Sequence, residues 1–156
     1  MAISPNDDFT AGQVLTATEC NNFPRGVMQY VQAVANDAAI TIEEIELTLP
    51  SFTAVASRYY KFTYYEPQIT TPATAGATVT ARIRLTNLAG NQYQNAFMQN
   101  APATAKSGTL TAQWVGTLSA GATVIVATLQ CSSGTASATR SANAPAFLLV
   151  EDIGPA

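Results

Sequence analysis

The chain has 156 residues, enough for one core that hides roughly 70% of the unfolded surface without metals or disulfides. Only 11% of its residues are charged, against about 25% in an ordinary globular protein. The net charge of -3 excludes the basic footprint that nucleic-acid binding needs. Ala and Thr take the place of the missing ions, a composition common in secreted and virion-surface β proteins. "MAISPNDDF" has neither the basic nor the apolar region of a signal peptide, so synthesis and retention in the cytosol are expected. "VIVA" and "FLLV" are too short to span a membrane.

In chain order, "VLTATECNNFPRG" predicts a short helix. Thr16 or Thr18 caps it, Glu19 suits the positive end of the dipole, and Pro24-Arg25-Gly26 stops it. "VMQYVQAV" (27–34) fits a strand or a helix. "ITIEEIELTL" alternates, with Ile45, Leu47 and Leu49 on one face. "SFTAVA" and "RYYKFTYYE" follow, the latter setting Tyr60, Phe62 and Tyr64 against Tyr59, Lys61 and Thr63. In "TVTARIRLTN", Val79, Ala81, Ile83 and Leu85 face in while Arg82 and Arg84 face out. "NQYQNAFMQ", "TLTAQWVGTL", "ATVIVATLQC" and "PAFLLVEDI" complete the set, and Gly121 in "LSAGAT" suits a tight hairpin. Eight or more short strands with Gly-, Pro- and Ser-rich loops predict an all-β, antiparallel sandwich of jelly-roll type.

"YYKFTYYE" carries aromatics on both faces, and "ATVIVATLQ" and "AFLLV" are apolar on both. Such strands are either doubly covered within one chain or sit at a subunit contact. Clustered aromatics favour the contact, making Tyr60, Phe62, Tyr64, Phe147 and Leu149 candidate interface residues.

Signs of catalysis are few. The chain has no histidine, which removes Ser-His triads and most zinc sites. Nucleotide-binding glycine loops and metalloprotease motifs are absent. Glu43, Glu44 and Glu46, the pair Asp7 and Asp8, and the pair Glu151 and Asp152 are the acids available to calcium. Calcium needs six or more converging oxygens, and the DxDxDG spacing is missing. These acids are therefore read as solvated charges, and no metal, cofactor or catalytic residue is expected. A glycosidase built on two carboxylates is a weak alternative. Alternation groups Trp114 with Leu110 and Ala112, which reads as core rather than as a sugar platform. Cys20 and Cys131 lie far apart without framework spacing, so both are expected as buried free thiols.

"FTAGQVLTATECNNFPRGVM" resembles an N-terminal signature, GxVLTAxxxNNxPRG, of small virion structural proteins of tailed bacteriophages. "RYYKFTYYEPQ", "LSAGATVIVA" and "PAFLLVEDIGP" are similar to later parts of the same proteins. The order of these strands also resembles tumour-necrosis-factor-like jelly rolls, which trimerise. The resemblance implies a virion-surface protein of head decoration, head fibre or minor tail type.

The expected organisation is an attachment arm (1–26) followed by a jelly-roll domain (27–156). Phe9, Val14, Leu15 and Phe23 are the apolar residues that would dock the arm, and Arg25 is its one basic residue. So polar an arm buries too little apolar area to order itself. Docking on a neighbouring major capsid or other virion protein is expected, and folding back on its own sandwich is the alternative. The implied function is a homotrimeric capsid decoration, cement or head-fibre protein of the virion, made in the host cytoplasm, with no nucleic-acid or membrane partner. One alternative is a minor tail or receptor-binding tip touching host glycans. Another is a non-viral carbohydrate-binding module.

Overall fold

The computed structural model describes residues 16–101 and 103–156, together with Gly12 and Val14. Phe9, Leu15, Asp7 and Asp8 lie outside these described residues. Helix α1 (Ala17–Asn21) is short, as its sequence dictates. Thr16 is its N-cap, accepting from the Glu19 amide at 3.2 Å, while the Glu19 carboxylate accepts from the Thr16 amide at 2.7 Å. This reciprocal pair satisfies two amides that a helix start leaves without partners. Gly26, at φ 74°, then turns the chain into the first strand.

Twelve strands follow among the described residues. They are β1 (Gly26–Ala33), β2 (Asp37–Ile40), β3 (Glu44–Thr48), β4 (Phe52–Ala54), β5 (Arg58–Thr70) and β6 (Thr78–Leu85). The rest are β7 (Gln92–Gln99), β8 (Ser107–Thr117), β9 (Gly121–Thr123), β10 (Ile125–Cys131), β11 (Ala136–Ala138) and β12 (Ala146–Pro155). The segment 27–34, open to either reading in sequence, is a strand.

Every pairing is antiparallel. The long strand β5 is the spine of a six-stranded sheet. β8 runs along one edge of it, and β12 and β11 share the other, flanked by β1 and β2. A four-stranded sheet runs β3-β10-β6-β7, and β4 pairs with β9. The fold is a jelly-roll sandwich. Its core lies between the sheets, where alternation delivers Tyr60, Phe62, Tyr64, Leu148 and Val150 from one side and Val79, Ala81, Ile83, Ile125, Ala127 and Leu129 from the other. Pro67 falls where the β5–β8 register breaks, between Glu66 and Ile69, so its missing amide costs no ladder bond.

Three expectations change. Ile45 is exposed rather than sharing a face with Leu47 and Leu49. The β3–β10 register shifts between Ala127 and Thr128, making Glu46 the extra residue of a bulge and reversing the phase of alternation before it. Gly121 has the expected positive φ, 129°, yet forms no hairpin. Its turn carries the chain from β8, in the six-stranded sheet, to β9, which pairs with β4. Trp114 does face the core side with Leu110 and Ala112, but it is half-buried at the rim. Its indole lies over Gly116, where a Cβ would come within 2.3 Å of the ring, and it stacks on Phe62 at 5.0 Å. It also touches Tyr93 of β7 at 4.6 Å, joining the two sheets.

Candidate functional site

The five candidate interface residues divide between two faces. Tyr60, Phe62 and Tyr64 are 0, 0 and 1% exposed within the single chain, so they are core residues with no surface left for a subunit contact. A pleated strand sends alternate side chains to opposite faces, and these three took the inner one. Phe147 and Leu149 lie on the outer face, half-buried, one pleat away from Leu148 and Val150. There Phe147 stacks on Tyr65 with centroids 5.1 Å apart and planes 23° apart, and Tyr30 leans on its other side at 6.0 Å. Register explains the strip: Phe147 sits opposite Tyr65, and Leu149 lies between Tyr30 and Thr63. Three strands thus carry a continuous aromatic-aliphatic strip of Tyr30, Phe147, Tyr65 and Leu149. A Lys61–Glu151 ion pair at 3.2 Å borders it, with exposed Val27 and Val115 beyond. Being solvated, that pair contributes little stability. A flat apolar strip with a charged border suits contact with another macromolecule.

The described part of the arm rests on its own strands. Arg58, buried at the start of β5, makes a two-pronged contact with buried Asp152, Nε to Oδ2 at 2.5 Å and Nη2 to Oδ1 at 2.7 Å. The same guanidinium donates to the carbonyls of Asn21 and Phe23, each at 2.6 Å. Its hydrogen bonds to Asp152 raise the pKa of Arg58 against the opposing cost of burial. Arg25 lies 3.9 Å from Asp152. Residues 21–25 therefore fold back on the chain's own sandwich, and Phe23 and Arg25 belong to that contact. Val14 is 84% exposed and packs on none of the described strands.

A second charged cluster lies at the seam between the sheets. Arg140 donates to Glu66 through Nε at 3.0 Å and Nη2 at 2.6 Å, and also to Glu46 Oε2 at 2.6 Å. Tyr64 donates its hydroxyl to Glu66 Oε1 at 2.6 Å, and its own pKa is raised well above the usual range by burial and by Glu66. Burial pushes the Glu46 carboxyl up to about 7, against the pull of Arg140. Burial, then the neighbouring Asp37, raises Glu44. Glu43 is separate: Arg84 holds it at 2.6 and 3.0 Å and Thr128 donates to it at 2.7 Å. The acids read from sequence as solvated are thus in large part structural, with Asp152 fully buried and Glu46 nearly so.

No protein-family model matches the chain, and no curated protein matches it in sequence. Solved structures of similar fold include the pilus subunit of "Bacillus endospore appendages", described as disulfide-linked. That match has 11% identity and a TM-score of 0.40, covering 90% of this chain and 98% of that one. The VP2 subviral particle of infectious bursal disease virus matches at 12% identity and a TM-score of 0.42, over 83% of this chain and 38% of that one. A carbohydrate-binding module of Cellvibrio mixtus lichenase 5A, solved with cellotriose, matches at 11% identity and a TM-score of 0.34, over 85% and 91% of the two chains. At such values the likeness concerns strand arrangement and carries no functional argument. No helix among the described residues is long and apolar enough to cross a membrane.

Sequence reasoning missed the buried ions, although part of the signal was present. Extending the alternation of Tyr60, Phe62 and Tyr64 by one step each way puts Arg58 and Glu66 on the core face. Extending Leu148 and Val150 does the same for Asp152. Which charge would meet which could not be read, since Arg58 and Asp152 are far apart in the chain.

Proposed function

We propose that this chain is a non-enzymatic structural protein that self-associates through the outer face of its six-stranded sheet and serves as a homotrimeric surface protein of a bacteriophage particle. The observation that carries the self-association is the strip of Tyr30, Phe147, Tyr65 and Leu149 on the outer face, part of which stays in contact with water. A monomer gains nothing from leaving stacked aromatics half in water, whereas an assembly buries them at about 25 cal/mol per Å². The bacteriophage assignment is supported by the resemblance of the arm signature "GQVLTATECNNFPRG". In this reading the residues ahead of α1 reach a capsid or other virion protein, while residues 21–25 fix the root of the arm to the sandwich.

Light scattering of the purified protein at micromolar concentration tests the assembly. Three copies are expected for the wild type, and one copy for Tyr65→Ser/Phe147→Ser with unchanged far-ultraviolet circular dichroism. A wild-type monomer across that range rules the reading out.

A further inference from the structure

Asp37 opens β2 in the six-stranded sheet, while Glu44 and Glu46 lie two apart on β3, at the edge of the four-stranded sheet. One carboxylate oxygen from each of the three falls within 4.8 Å of the others. Proximity of acids is not enough to make a site, but two further facts favour a cation ligand here. Glu46 Oε1 and Glu44 Oε1 are buried and accept no hydrogen bond from any of the described residues. The Glu46 side chain is only 4% exposed, and its other oxygen is committed to Arg140. Arg140 also serves Glu66, so one guanidinium is shared by two carboxylates and neither Asp37 nor Glu44 is paired with it. Asp37 is already oriented, because its Oδ1 accepts from the Ala39 amide at 2.9 Å and leaves Oδ2 for a ligand. A desolvated carboxylate oxygen without a donor is costly, and a bound cation removes that cost.

We propose that Asp37, Glu44 and Glu46 bind one calcium ion across the seam between the two sheets. The donors are all carboxylate oxygens, which select hard cations over zinc or copper. Calcium–oxygen distances of about 2.3–2.6 Å place ligands on opposite sides of the ion about 4.6–5.2 Å apart, a span that accommodates this trio. Magnesium, at about 2.0–2.1 Å, demands a tighter and stricter octahedron. Water completes the shell, because all three residues keep some exposure. With three carboxylates and a partly open site, the dissociation constant should be on the order of 10⁻⁴ to 10⁻³ M, as in extracellular calcium modules. The ion would clamp β2 to β3, which otherwise belong to different sheets.

The test uses the full-length protein stripped with EDTA and dialysed at pH 7.5. Calorimetric titration with calcium chloride should show one site per chain, and 10 mM calcium should raise Tm by roughly 5 °C. Sodium chloride of equal ionic strength should not. Two variants guard against a folding artefact. Asp37→Asn keeps the acceptor for Ala39, and Glu44→Gln removes a charge that makes no protein hydrogen bond. In EDTA both should melt no lower than the wild type, since each relieves like-charge repulsion, and both should lose at least tenfold in calcium affinity. No heat and no Tm shift in the wild type overturns the site, as does an undiminished response in both variants. A stronger response to magnesium than to calcium overturns the choice of ion.

Discussion

Arg58 illustrates how much one side chain organises here. Its guanidinium satisfies Asp152 and two arm carbonyls, while Asp152 Oδ1 also accepts from the Gly154 amide at 3.0 Å. Asp152→Ala leaves a buried cation without its counter-ion and should cost about 3–5 kcal/mol. The double variant Arg58→Met/Asp152→Leu should recover much of that loss, because a buried ion pair is replaced by apolar groups of similar size. Recovery should stop short of complete, since the Gly154 amide then lacks its acceptor. Thermal denaturation of the three proteins checks the order. Hydrogen exchange should show α1 losing protection in the double variant even where global stability returns. Double-variant stability no better than Asp152→Ala would show that the pair is not the unit that matters. At this scale the sequence held a signal where alternation ran unbroken, as from Tyr60 to Glu66 and from Leu148 to Asp152, but composition outweighed it and the acids were read as solvated. It was illegible at Glu46, because a bulge changes which face a residue takes without leaving a mark in composition.

Among the elements, α1 combines a local signal at its start with a distant partner at its end. The start of α1 was legible as Thr16 or Thr18 ahead of Glu19, and the structure selects Thr16, whose capping box with Glu19 is a local pattern needing no tertiary partner. What holds the end of that helix, the Arg58 contact to Asn21 and Phe23, comes from a strand 35 or more residues away. Two truncations should therefore behave differently. Removing residues 2–15 should leave Tm within a degree or two of the wild type and abolish binding to particles lacking this protein, measured by co-sedimentation. Removing residues 2–25 should also strip two acceptors from a buried guanidinium, at about 1–3 kcal/mol for each unsatisfied donor. Undiminished particle binding by the shorter truncation would assign attachment to the β sandwich. Equal Tm for both truncations would show that the Arg58 contacts to the arm carry no stability.

Across the whole molecule, Trp114 reports on both sheets at once, since it touches Phe62 in one and Tyr93 in the other. One shared core implies one cooperative transition, so unfolding followed by Trp114 fluorescence should coincide with loss of far-ultraviolet circular dichroism. An earlier fluorescence transition would mean that the sheets separate before they melt. Most pairings join distant strands, β5 with β12 and β1 with β12 among them, so refolding should be slow, in the range of milliseconds to seconds. The sequence by itself determined the all-β class, the inward face of β6, the short helix and a buried, unpaired Cys131. Each of these follows from local periodicity or composition. Only the tertiary structure decided that the inner tyrosines fill the chain's own core while Tyr30, Tyr65 and Phe147 form a strip on the outer face. Only it brought Asp37 to Glu44 and Glu46, and only it showed that Cys20, expected as a buried thiol, is exposed on the short helix. Alternation says that a strand has two faces, but which face meets the other sheet, and which distant charges meet there, depends on strand order and register that no single segment encodes.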